Sequence, residues 1–229
     1  MDRLIRTAPT GGGGVVAAPS ARLWFRPGVH FVCLGADAVL LDVPGDGYHC
    51  LADGAALCRR LAEGAPAPID DTIRALVSAG LVGPEPRPAP TVPPALPTRS
   101  AIHERRPFDL LRDPPAALTA VAHVRAARRG AGLSSYLSWA DRPPRNDPPA
   151  TLEAAQRFWS LMPYLPIEGE CLVRSALLMR FLAALGLKAE WVFGVRLCPF
   201  MAHCWVQVDG VCLNDDVERL AAYTPIMVR

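Results

Sequence analysis

The spacing of hydrophobic positions changes several times along the chain, and each change marks an element. Val29 to Leu34, Ala38 to Val43 and Gly47 to Leu51 are short apolar runs separated by Gly-Ala-Asp and Pro-Gly-Asp, which turn a chain tightly and predict a three-strand meander. Asp53 to Leu61 and Ile69 to Ser78 then switch to helical spacing, each with Asp near its start and Gly near its end. Phe108 to Arg129 and Thr151 to Leu161 read as helices separated by a polar, proline-bearing loop from Asp141 to Pro149. From Cys171 to Leu185 the pattern is one apolar helix interrupted only by Arg174, Ser175 and Arg180, with Gly186 as its stop. Ala189 to Arg196 and Met201 to Val208 are rich in Val, Trp and Phe and read as strands.

Composition adds domain boundaries to this pattern. Pro84 to Pro97 holds seven prolines in fourteen residues, the signature of an extended spacer. The expected organisation is a disordered tail over residues 1–20, marked by Gly11 to Gly14, a small domain over 21–85, a Pro-rich linker over 86–98 and a larger domain over 99–229. The fold class is α+β: a winged-helix-like module of three antiparallel strands plus helices, followed by a helix-and-sheet domain. A hydrophobic content of 51% with 20% charged residues fits a globular chain. No secretory or membrane-spanning pattern is visible, which points to the cytoplasm, where seven cysteines, an odd count, are best read as free thiols.

Chemistry concentrates near the C-terminal end. Cys171 falls in the first turn of its helix, where the macrodipole and free N–H groups favour a thiolate, and His203 lies 32 residues on, upon a strand able to cross that helix. Such a pair serves as nucleophile and general base, with a carboxylate to orient the imidazole. Asp215 and Asp216 both qualify. A two-residue Asp209-Gly210 turn sets residue 216 opposite 203, whereas a three-residue Val208-Asp209-Gly210 loop sets residue 215 there, and both suit the sequence. Cys198, His203, Cys204 and Cys212 crowd one region, but they lack a paired C-x₂-C knuckle, and strand alternation sends His203 and Cys204 to opposite faces. No metal is expected; Cys204 and Cys212 read as packing residues. Trp159 and Trp205 read as core, and Arg125, Arg128 and Arg129 as a solvated helix end.

These residues resemble the B proteins of lasso-peptide biosynthesis, transglutaminase-like cysteine peptidases that remove the leader from a ribosomal precursor. The resemblance rests on Glu170-Cys171-Leu172-Val173-Arg174-Ser175, Val192-Phe193-Gly194-Val195, Pro199 to Gln207, Asp209-Gly210, Leu213-Asn214-Asp215 and Tyr223-Thr224-Pro225. It implies a transglutaminase-like or papain-like cysteine peptidase domain with Cys171, His203 and Asp215 as its triad, and so favours the three-residue loop. It also implies a partner cyclase that consumes ATP, so that this chain needs no cofactor of its own.

The same resemblance gives the first module a role, the recognition of a leader peptide added as a strand. It places the leader beside Tyr48, His49, Cys50 and Leu51, with Thr72, Ile73, Leu76 and Val77 as the second wall of a groove. A winged helix also suggests DNA. The net charge of +2, and a helix bearing Asp70 and Asp71 with one Arg, argue against nucleic acid. Two other functions use the same features: a transglutaminase passing the acyl group to an amine, and a peptide carrier that does not need Cys171.

Overall fold

In the computed structural model, which describes residues 3–5, 20–87, 93–130, 132–138 and 145–229, the chain forms two units, Met1–Thr91 and Val92–Arg229. In the first, β1 (Arg3–Ile5) is followed by two short strands, β2 (Ser20–Ala21) and β3 (Trp24–Phe25). The meander comes next, as β4 (Val29–Leu34), β5 (Asp37–Asp42) and β6 (Gly47–Leu51). Helices α1 (Ala55–Ala62) and α2 (Asp71–Ser78) alternate with strands β7 (Ala67–Pro68) and β8 (Val82–Gly83). The main sheet runs β1-β6-β5-β4, and two small pairs, β2 with β7 and β3 with β8, close the ends of the unit.

Strand β5 is central, and the unbroken apolar run Ala38-Val39-Leu40-Leu41 is buried along its whole length. Leu40, Leu51, Leu61, Ile73 and Leu76 meet in one core, each worth roughly 1.5–3 kcal/mol on full burial. Asp70 caps α2 by accepting the Ile73 N–H at 2.8 Å. Gly80, at φ +74°, ends that helix with Leu81 N–H bonded to the Leu76 carbonyl, a left-handed stop that a residue with a Cβ resists. Helix α1 departs from expectation, since its cap is Gly54 rather than Asp53.

One further departure concerns the tail. Arg3–Ile5 is a strand, parallel to β6 in the register Arg3↔His49, Leu4↔Cys50 and Ile5↔Leu51. The expectation of a disordered segment is corrected there, and the remainder of residues 1–19 lies outside the described residues, as do 88–92 of the proline-rich stretch.

The second unit begins with β9 (Arg99–Ser100) and continues through α3 (Asp113–Ala127), α4 (Gly132–Leu137) and α5 (Pro148–Leu161) to α6 (Cys171–Ala184). Its remaining elements are β10 (Glu190–Arg196), β11 (Met201–Val208), β12 (Val211–Cys212), α7 (Val217–Leu220) and β13 (Thr224–Val228). The sheet order is β13-β10-β11-β12-β9. The apolar α6 is buried on most of its surface, packed by α3, α5 and β11. Phe158 and Phe181 meet at a tilt with ring centroids 5.1 Å apart across α5 and α6, and Trp191 and Trp205 are fully buried in the sheet. Gly186, at φ +72°, is the stop of α6, with Leu187 N–H on the Leu182 carbonyl.

Helix α3 starts at Asp113, later than the apolar spacing predicts, because Pro114 and Pro115 set its first turn and Asp113 accepts the Asp109 N–H at 2.8 Å. The β11–β12 hairpin is tighter than the resemblance favoured. Val208 pairs with Val211, so the loop is the two-residue Asp209-Gly210 turn, with both residues at positive φ (48° and 71°), a combination that matches strand twist.

Candidate functional site

Cys171 is the first residue of α6. Its cap, Glu170, makes no side-chain capping bond, so the first-turn N–H groups are left to polarise whatever lies at the helix start. Gly169 must precede it, because a Cβ there falls 2.5 Å from the Val173 side chain. Strand β11 brings His203, which is 6% exposed, to the same place; its ring faces Tyr223 at a centroid distance of 5.2 Å.

The carboxylate arrives by a route the hairpin count did not foresee. In the two-residue turn the ladder points 216 toward 203, yet the ladder ends at Cys212 and the chain leaves the sheet. Asp215 Oδ2 then sits 2.5 Å from His203 Nε2, while Asp216 turns away to His103 at 2.9 Å. The residue expected from the resemblance therefore holds this position although the loop expected with it does not form.

Three buried groups hold that departure in place. The Asn214 side chain accepts the Val206 N–H at 2.7 Å and donates to Ser175 Oγ at 2.8 Å. Ser175 Oγ in turn donates to the Cys204 carbonyl at 3.3 Å, which ties α6 to β11 one turn past the nucleophile. The Trp159 indole donates to the Leu213 carbonyl at 2.6 Å. Asn214 and Ser175 are both buried and fully engaged, the condition under which such a network fixes a unique geometry. Asn214 and Ser175 were visible beforehand only as neighbours of the two acids and of the cysteine; nothing in their periodicity shows that they bond to each other. Trp159 is core, as its setting suggested, and also a donor to the acid's turn.

The electrostatics follow from these contacts. The largest effect on Cys171 is a hydrogen bond from the Cys204 thiol; burial opposes it, and His203 adds to it, so the thiol is lowered to about 4. Burial would lower the His203 imidazole, but its bonds to Asp215 and Cys171 outweigh that and raise it to about 9. Burial would likewise raise the Asp215 carboxyl, whereas the bond from His203, the Asp216 N–H and the Arg219 charge hold it below its ordinary value. Burial pushes the Cys204 thiol well above the ordinary range, so between these two thiols Cys171 is the one that ionises. Cys204 is buried, as expected of a packing residue, and its side chain also helps to hold the Cys171 thiol low.

A cleft of about 390 Å³ opens over these groups, lined also by Arg174, Met201 and Arg219. Arg174 lies over the Trp159 ring at 5.2 Å. The cations on α3 are not merely solvated: Arg125 donates to the Pro166 carbonyl at 2.6 Å and Arg128 to that of Glu168, pinning the segment that leads into Cys171.

In the first unit the candidate residues divide. Tyr48, His49 and Cys50 are half-buried on β6, whereas Leu51, Ile73 and Leu76 are fully buried core and Thr72 is 7% exposed. Of the four α2 residues only Val77, 45% exposed, presents substantial surface. The groove expected between β6 and α2 is corrected to that extent, because Ile73 and Leu76 are spent on the core. The edge of β6 is also not open, since β1 lies on it. Among the described residues no helix is long and apolar enough to cross a membrane.

Comparison with known proteins agrees with the geometry of the second unit. No solved structure matches the chain significantly. The microcin J25-processing protein McjB of Escherichia coli is 42% identical over 48 residues, 21% of this chain and 23% of that protein, so the chain spans under a quarter of that relative's length. Residues 116–228 match the family described as the transglutaminase-like superfamily, and Cys171, His203 and Asp215 all lie within the matched residues.

Proposed function

We propose that this protein is a leader peptidase of lasso-peptide biosynthesis, a cysteine hydrolase that cuts a ribosomally made precursor at its leader–core junction. The observation that carries the reading is the aligned Cys171, His203 and Asp215 array in an open cleft, with a thiol lowered to about 4 beside an imidazole raised to about 9. The partial likeness to a microcin-processing protein supports a peptide precursor as the substrate.

Cys171 thiolate attacks the junction carbonyl, and the oxyanion is stabilised by the Cys171 N–H at the α6 start. His203 gives its proton to the core's amino group as the leader–core bond breaks, so the core leaves and a thioester joins the leader's terminal carbonyl to Cys171. Water deprotonated by His203 then hydrolyses the thioester, releasing the leader as a carboxylic acid and restoring the Cys171 thiolate beside protonated His203. Asp215 keeps the imidazole in the tautomer this requires. Besides water, the cycle draws on this chain's own side chains; ATP belongs to the partner cyclase that closes the ring on the released core. The first unit holds the leader along β6, and the proline-rich stretch tethers binding to chemistry so as to raise the local precursor concentration.

Mass spectrometry of the precursor encoded beside this gene, incubated with the protein, tests the reading: leader and core masses should appear with the native protein and not with Cys171→Ala. The family match also favours a second reading, acyl transfer to an amine. Incorporation of a labelled primary amine into a glutamine side chain, without precursor cleavage, would replace the first reading with the second. A pure carrier would leave binding intact and show neither reaction.

A further inference from the structure

Strand β6 pairs on one side with β5 over five register positions, Gly47 to Leu51. Among the described residues its other side is covered by Arg3–Ile5, at three positions, His49 to Leu51. The outward N–H and carbonyl groups of an edge strand serve one neighbour at a time. Any peptide that adds to this edge must therefore remove β1 first.

We infer that Arg3–Ile5 is an internal occupant of the strand site on β6, and that a leader peptide binds there by exchange with it. This rests on the reading of β6 as the leader's site. Two features suit an exchangeable occupant. It is short, three residues against the six of β4 or β5, so little is lost when it leaves. The sequence that links it covalently to β2 includes four successive glycines, Gly11 to Gly14. Tethering gives even a weak strand an effective concentration of roughly millimolar, enough to compete with a dilute peptide. Docked about nine-tenths of the time, it would lower the apparent affinity of a competing strand about tenfold.

The test uses the full chain with Arg3, Leu4 and Ile5 all replaced by glycine, beside the native protein. Two labelled peptides are titrated into each by fluorescence anisotropy: one spans residues 1–9 of this chain, and the other is the leader of the adjacent precursor. Both should bind the glycine variant ~10-fold more tightly than the native protein, the unlabelled leader should displace the 1–9 peptide, and His49→Pro should weaken both. Equal leader affinity for native and variant protein, with His49→Pro still weakening it, overturns the exchange while the leader site stands. Self-association of the variant without a gain in affinity also overturns it, and makes β1 an edge cover alone. Binding of the 1–9 peptide that the leader cannot displace leaves β6 a strand acceptor but removes the leader from it, overturning the exchange together with the reading it rests on.

Discussion

The two units place their candidate groups by different means. In the second, each reactive side chain comes from a separate element, and buried bonds from Asn214, Ser175 and Trp159 fix the elements to one another. In the first, the candidate surface is the backbone of β6, which β1 covers, and Leu51, Ile73 and Leu76 belong to the core. Chemistry demands side chains held to fractions of an ångström, whereas strand addition asks only for unpaired backbone in register. The site in the second unit should consequently fail at single atoms, and the surface in the first only when the backbone itself is altered.

The sharpest break is at the nucleophile. Cys171→Ala should lower precursor cleavage by about 10⁴-fold or more, measured by mass spectrometry, with leader affinity unchanged. Cleavage that survives would end the nucleophile assignment. Next comes the acid: Asp215→Ala should cost about 10²–10⁴-fold and Asp216→Ala only a few-fold, since the latter faces His103. The native rate should form a plateau bounded by pH values near 4, below which Cys171 protonates, and near 9, above which His203 has no proton to give. Asp215→Ala should draw the upper limb downward, because the carboxylate no longer supports the imidazolium.

A smaller loss tests the clamp. Asn214→Ala should lower kcat by roughly 10- to 100-fold with KM little changed, and adding Ser175→Ala should cost little more, because the two share one bond. Additive losses would show that they act separately. The mildest effect is expected in the first unit, where His49→Pro removes a donor from β6 and should weaken leader binding about tenfold while leaving alkylation of Cys171 by iodoacetamide untouched. A matching loss of thiol reactivity would contradict the division of labour between the units.

How much of this the sequence discloses follows from the range of the interactions. The meander, the helix from Cys171 and the β10–β11 pair are legible because each rests on local periodicity and a glycine or proline boundary. Arg3–Ile5 is not, since three residues beside a glycine run carry no period and pair only through a partner 46 positions away. The acid shows both sides of this limit. Hairpin logic treats the strand as continuing, but β12 ends after two residues, and the side chain that bends the chain away, Asn214, finds its partners on α6 and β11. The Cys204 thiol reads as packing and is buried, and its further effect on the Cys171 thiol comes from the helix start, which strand periodicity does not report.

The guanidinium of Arg174, which lines the cleft and rests on the buried Trp159 indole, gives the protein an optical gauge. A charge held against an indole face shifts and quenches its emission, and this indole is also bonded to the turn that carries the acid. A peptide carboxylate or carbonyl drawn to Arg174 would lift that charge and change the emission without any added label. Occupancy of the cleft could then be followed in stopped flow with Cys171→Ala, which fills but does not turn over, and adding Trp159→Phe should abolish the change while the other four tryptophans still emit.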